Sequence, residues 1–258
     1  MKLYNLFFSP TGGTRTVADL LASRLADEAE EVDLSVYGKD YSGWQFGPED
    51  LCLVSAPAFG GRIPPPALAA LGQMQARQTN AIVVVSYGNR HYDDALLELG
   101  DTLTARGFRV VAGIAAVTEH SIVRSYGAGR PNGADKAQLC GFADRIRAGL
   151  EGPTPLSAAQ LPGNRPYRDY HSGPQKPRAG KKKCSRCGLC ASQCPVGAIS
   201  TVDPRFTDKA ACINCMRCIA ICPQQAKSLN PLVLRGITRM LAQSCAQPKD
   251  NLIFCEKK

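Results

Sequence analysis

Cys184-Ser185-Arg186-Cys187-Gly188-Leu189-Cys190-Ala191-Ser192-Gln193-Cys194-Pro195 returns, with every cysteine and the proline kept, as Cys212-Ile213-Asn214-Cys215-Met216-Arg217-Cys218-Ile219-Ala220-Ile221-Cys222-Pro223. Three thiolates at i, i+3 and i+6 can wrap one metal cluster corner by corner. The fourth does not fold back onto the same cluster and crosses to that of the other copy, as this spacing does in iron–sulfur proteins. The reading assigns Cys184, Cys187, Cys190 and Cys222 to one [4Fe–4S] cluster, and Cys212, Cys215, Cys218 and Cys194 to a second. Ala191, Ala198, Ala220, Gly188 and Gly197 leave room for the cluster faces. Two zinc sites of four cysteines each are the competing reading, but they favour paired Cys-x-x-Cys units over evenly spaced triplets with a distal Cys-Pro.

Residues 184–229, with the Cys-Pro-x-x-Ala continuation at Pro195–Ile199 and Pro223–Lys227, resemble the two-cluster bacterial ferredoxins. The resemblance implies a small α+β domain over residues 181–230. Before it, residues 152–180 hold six prolines (153, 155, 162, 166, 174 and 177) and four glycines, the composition of a linker or an extended surface strap. After it, residues 231–258 read as a tail with an amphipathic stretch at Leu232–Leu241. Of the other cysteines, Cys52 and Cys140 read as small buried apolar residues. Cys245 and Cys255 lack ligand spacing.

Twelve cysteines in 258 residues would suit a disulfide framework only in an oxidising compartment. The N-terminal run Met1–Pro10 is too short and broken for a signal peptide, and no stretch is apolar enough to span a membrane. A cytoplasmic location with metal-bound thiols is expected. The net charge of +9 is uneven. Residues 1–150 carry 14 Lys/Arg against 16 Asp/Glu, and residues 151–258 carry 17 against 6. Part of the basic excess offsets about −4 from two oxidised clusters with their thiolates. The rest fits an acidic redox protein partner. Nucleic acid is not expected, because no stacking aromatics interleave the basic residues.

Residues 1–151 alternate strand and helix. Lys2–Phe8, Glu31–Val36, Leu51–Ala56, Ala81–Ser86 and Arg109–Val117 read as strands. Thr14–Leu25, Pro65–Met74, Asp93–Arg106 and Lys136–Leu150 read as helices, with Asp93 and Asp94 in the first turn of the third. The pattern predicts an α/β domain with a doubly wound, five-stranded parallel sheet. Ligands of such sheets sit at the carboxyl ends of the strands.

Those ends carry the second site. Ser9-Pro10-Thr11-Gly12-Gly13-Thr14 follows the first strand and offers hydroxyls at Ser9, Thr11 and Thr14, backbone N–H groups at Gly12 and Gly13, and a helix N-terminus to a phosphate. The loop resembles the FMN-phosphate loop of flavodoxins. Pro57, Phe59, Gly60, Gly61 and Arg62 follow the third strand; Ser86, Tyr87, Gly88, Asn89 and Tyr92 follow the fourth. Phe59 with Tyr87 or Tyr92 would wall a flavin ring, and Arg62, Asn89 and Arg90 would meet its phosphate, ribityl or N1–O2 edge. Pro-x-Phe-Gly-Gly-Arg-Ile-Pro, Tyr-Gly-Asn-Arg-x-Tyr-Asp-Asp-Ala-Leu, Glu119-His120-Ser121 and Gly129-Arg130-Pro131 together resemble a family in which a flavodoxin-like domain is fused to a two-cluster ferredoxin, the EFR1-type ferredoxins. That resemblance implies FMN in the first domain.

The expected function is electron transfer between FMN and two clusters. The alternatives are an FMN-dependent reductase of a small molecule fed by its ferredoxin domain, with NAD(P)H able to stack on the flavin and with His120, Tyr92 or Glu119 as proton donor, and a redox or iron sensor that binds a protein partner.

Overall fold

A computed structural model describes residues 1–154, 156–158, 160–173 and 175–257. Pro155 and Pro174 of the proline-rich segment lie outside the described residues. Five parallel strands form the sheet: β1 (Leu3–Phe7), β2 (Ala29–Asp33), β3 (Leu51–Pro57), β4 (Thr79–Tyr87) and β5 (Phe108–Val117). Their order is β2-β1-β3-β4-β5, the order of the flavodoxin-like doubly wound fold. Side chains of a strand alternate between its faces, and each face here meets helices. On one, Leu51 and Leu53 pack with Val17, Leu21 and Leu25 of α1 (Gly13–Leu25) and with Leu139 and Ile146 of α4 (Gly133–Leu150). On the other, Cys52 and Val54 pack with Leu71 of α2 (Pro65–Leu71) and with Leu96, Leu99 and Leu103 of α3 (Ala95–Thr104).

Two helix starts differ from the sequence reading. The fourth helix begins at Gly133 because Asn132 and Asp135 form a reciprocal capping box there. Asp93 and Asp94 precede the third helix rather than entering its first turn. The Asp94 carboxylate accepts the N–H groups of Asn164 and Arg168, at 2.9 and 2.8 Å. Residues 161–173 are thus tied across α3 as a strap. Arg165 adds an ion pair to Asp101.

The cysteine module is built on little regular structure. It has two one-turn helices, α5 (Leu189–Ser192) and α6 (Arg217–Ala220), and a ladder pairing Arg178–Ala179 with Lys227–Ser228. The two copies take left-handed backbone at matching positions: Arg186 and Asn214, Gly188 and Met216, Gly197 and Gln225. Such residues turn successive N–H groups to one side of the chain, which suits an anionic centre.

Residues 231–258 are more than a tail. They form α7 (Pro231–Cys245) and then β6 (Leu252–Phe254), which adds antiparallel to the free edge of β5. The sheet therefore has six strands, five of them parallel. Asn251 locks this return. Its Oδ1 accepts the Val117 N–H at 2.8 Å, and its Nδ2 donates to the Asp135 carboxylate at 2.9 Å. Among the described residues no helix is long and apolar enough to cross a membrane.

Candidate functional site

A cavity of about 850 Å³ opens at the carboxyl ends of β1, β3, β4 and β5. Thr11, Gly12, Gly13 and Thr14 form one end of it. Gly12 sits at φ 94°, a left-handed turn that starts α1 without a side-chain cap. Among the described residues the N–H groups of Thr11, Gly12, Gly13 and Thr14 have no protein acceptor, and the α1 dipole points its positive end at them. The expected hydroxyls divide. Ser9 lies outside the cavity wall and its Oγ accepts the Arg15 N–H, whereas the Thr14 and Ser86 hydroxyls bond each other at 2.7 Å. Thr11 stays exposed.

Pro57, Phe59 and Gly60 line the cavity, as do Ser86, Tyr87 and Gly88. A Cβ on Gly88 would stand 2.6 Å from the His120 Cα, so only glycine lets these two loops close. His120 lines the cavity beside them. Its Nδ1 accepts the N–H groups of Ile122 and Val123, both at 3.1 Å, which leaves the ring proton on Nε2. Burial, with the Arg90 charge, holds its pKa down at about 4, so the ring is a neutral donor at physiological pH.

Several expected contacts go elsewhere. Arg62 is gripped by the buried Glu98 through Nε at 2.8 Å and Nη2 at 2.5 Å, and lies over the Tyr167 ring. Asn89 holds the C-terminal segment: Nδ2 donates to the carbonyls of Cys245 and Gln247, and Oδ1 accepts the Lys249 N–H. Arg90 pairs with Asp93. Gly61 fits against Asp93 rather than facing a ligand. Tyr92 is buried between Tyr87 and His91, away from the cavity wall. Glu119 reaches the cavity but is paired with Arg124.

The opposite wall was not legible in the first domain at all. It comes from the second cysteine copy: Ile213, Asn214, Met216, Ile219, Ala220 and Cys222. Ile213 and Cys215 join the same apolar cluster as the sheet. Asn214 fixes the strap here by donating to the carbonyls of Ser172 and Gly173.

A second, smaller cavity is lined by Cys184, Cys187, Cys190 and Cys222, the four ligands assigned to one cluster from spacing. The Cys222 Sγ accepts the Ala226 N–H at 3.2 Å. Cys190, Cys212 and Cys218 pack against the small apolar cluster that holds Cys194, and Cys215 lies within charge range of Cys194 and Cys212. Among the described residues no three His, Cys, Asp or Glu side chains converge as ligands of a single ion. Thiols ringing a cavity fit a cluster cage better than zinc. The Tyr170 hydroxyl adds to that fit, being buried, without a partner among the described residues, in the electrostatic range of Cys215 and Cys212. All twelve cysteines are unbridged; Cys52, Cys245 and Cys255 are buried, and Cys140 is half-buried rather than buried.

Residues 183–227 match the family model described as a 4Fe-4S dicluster domain. Over 82 aligned residues the chain is 37% identical to a trichloroethene reductive dehalogenase of Dehalococcoides mccartyi, an alignment that covers 25% of this chain and 15% of that protein. Similar solved structures include a flavodoxin of Streptococcus pneumoniae TIGR4 (18% identity, 57% of this chain, 99% of that one, TM-score 0.41). An archaeal flavodoxin is 12% identical, covering 59% of this chain and 100% of that one, with TM-score 0.40. Rubredoxin oxygen:oxidoreductase of Desulfovibrio gigas is 17% identical, covering 58% of this chain and 37% of that one, with TM-score 0.42.

Proposed function

We propose that this chain is an electron carrier that binds FMN in the large cavity and two [4Fe–4S] clusters at the eight repeated cysteines, and passes electrons between them. One observation carries the reading: a single cavity is walled on one side by a phosphate-type loop with free N–H groups, and on the other by the backbone and side chains of the second cysteine copy. FMN exchanges electrons singly or in pairs and each cluster exchanges one, so the pair couples two-electron to one-electron chemistry.

The chain's own residues prepare that site. The Thr11–Thr14 N–H groups take the phosphate. Phe59 and Tyr87 flank the ring, and the His120 Nε2–H supplies a neutral hydrogen bond to it. Ile213, Met216 and Ile219 exclude water from the side that faces the clusters. The far side of the module supports a partner surface. There Cys187 is exposed, beside Lys181, Lys182, Lys183 and Arg186, with Val202 92% and Phe206 64% exposed. Such a basic face with apolar spots fits an acidic one-electron carrier. The reductase alternative draws no support from its three proton donors: Tyr92 is outside the cavity wall, Glu119 is paired, and His120 is neutral.

The test is the cofactor content of protein purified without oxygen. About eight iron, eight sulfide and one FMN per chain are expected. Iron and sulfide without flavin would overturn the FMN half. Gly88→Ala, which drives a methyl into His120, should lower FMN occupancy and leave iron unchanged; equal loss of both would mean general misfolding.

A further inference from the structure

The two cysteine copies part company five residues beyond their last cysteine. Cys194 leads to Ile199 and Cys222 leads to Lys227. Both residues are buried, Ile199 at 5% exposure and Lys227 at 3%. An apolar residue there is ordinary core. A buried lysine is costly unless an anion compensates it. Two other buried charges have ionic partners, Glu98 with Arg62 and Asp135 with Arg130, and the third, Asp94, accepts three hydrogen bonds from Asn164 and Arg168. Lys227 has no such partner among the described residues. Its Nζ donates only to the Thr207 hydroxyl, at 3.2 Å.

Where that side chain ends is informative. The Lys227 backbone pairs with Ala179 in the short ladder of the second copy. Thr207 is bridged to Ile199 of the first. The lysine thus starts in one copy and finishes in the other. It lines the cysteine-ringed cavity of Cys184, Cys187, Cys190 and Cys222, and the large cavity as well. Among the described residues, the one buried cation without a carboxylate therefore lines the cavity of the four cysteines assigned to the first cluster.

We propose that Lys227 is the internal counter-ion of the cluster held by Cys184, Cys187, Cys190 and Cys222, a fixed cation that raises its reduction potential. The inference rests on the two-cluster reading. Adding one electron to a cluster adds one negative charge beside the ammonium, so the cation stabilises the reduced form more than the oxidised one. Lys227 is a tuning residue rather than a ligand.

The experiment is an anaerobic titration of the holoprotein, with dithionite supplying one electron to each cluster and electron paramagnetic resonance following both. Lys227→Met and Lys227→Gln should each shift the reduction equilibrium of the first cluster about tenfold toward the oxidised form, ~59 mV for its one-electron step, and the second cluster by less. Lys227→Arg should restore most of it. Intact clusters with unchanged potentials in the neutral variants, or a shift that Lys227→Arg shares in full, would overturn the proposal. If the neutral variants fail to hold iron, Lys227→Arg decides: iron retained means the charge is needed for assembly and supports the proposal, and iron lost means a steric role and refutes it. Wild-type protein without two clusters would instead sink the reading on which it rests.

Discussion

Cys187 of the first cysteine copy is exposed, whereas its counterpart Cys215 is buried in the apolar cluster of the sheet. Ligand spacing is the same, and so are the left-handed residues at three matching positions. What differs is the neighbour. The first copy faces water; the second is pressed between the large cavity and the strap. Repetition of sequence thus supplies two equivalent ligand sets, and tertiary packing exposes one triplet and buries the other.

The strongest way to break this comparison is to remove the crossing ligands. Cys222→Ala should abolish the first, exposed cluster and Cys194→Ala the second, each leaving about half of the iron. If each variant instead lost the cluster of its own triplet, the crossed assignment would be wrong. Iron analysis with electron paramagnetic resonance would read this. A second effect follows from cover alone. On exposure to oxygen the cluster at Cys187 should bleach first, leaving a single-cluster species whose signal is that of the Cys194→Ala-sensitive site. Simultaneous loss would show that the buried copy is no better protected.

A smaller effect concerns what holds the second copy down. The chain leaving it is anchored by Asn251 on Asp135, whose pKa is held down at about 2, chiefly by Arg130. A folded-state value below the unfolded ~3.9 gives stability above about pH 4 that is lost as the pH falls toward 2, worth about 2 kcal/mol. Asp135→Asn should remove that acid-dependent step from a denaturation series. The separate contribution of His120, whose folded value of about 4 lies below the unfolded ~6.5, should still fade between those two pH values. An unaltered low-pH step would exonerate Asp135. The smallest effect is that of Tyr170→Phe. If the buried hydroxyl donates to the second cluster, its loss should shift that cluster alone about threefold toward the oxidised form, under half of a tenfold step in millivolts. A shift in both clusters, or in neither, would remove Tyr170 from the second cage.

Strands and cysteines were legible because both write themselves as local periods. Leu51–Ala56 and Ala81–Ser86 are unbroken apolar runs, and the triplet spacing needs no partner to be read. The errors have a common cause. Arg62 and Asn89 carry the chemistry of ligand contacts, but their partners are Glu98 and the carbonyls near Cys245, and pairing over distance leaves no trace in a local pattern. The three-residue β6 failed for the same reason: too short for a period, it depends on an edge more than a hundred residues earlier in the chain. Lys227 lies at the position of Ile199 in the ferredoxin-like continuation, and a sequence shows its charge but not that this charge is buried.

That last strand has a bearing on how the protein is made. With β6 seated on β5, the ferredoxin-like module is spliced into the flavodoxin-like domain rather than appended to it. The sheet's outer edge stays open while the module is synthesised, and is closed only when residues 252–254 emerge from the ribosome. A gene cut after residue 230 to release a free-standing first domain would leave that edge bare and prone to pairing with its own kind.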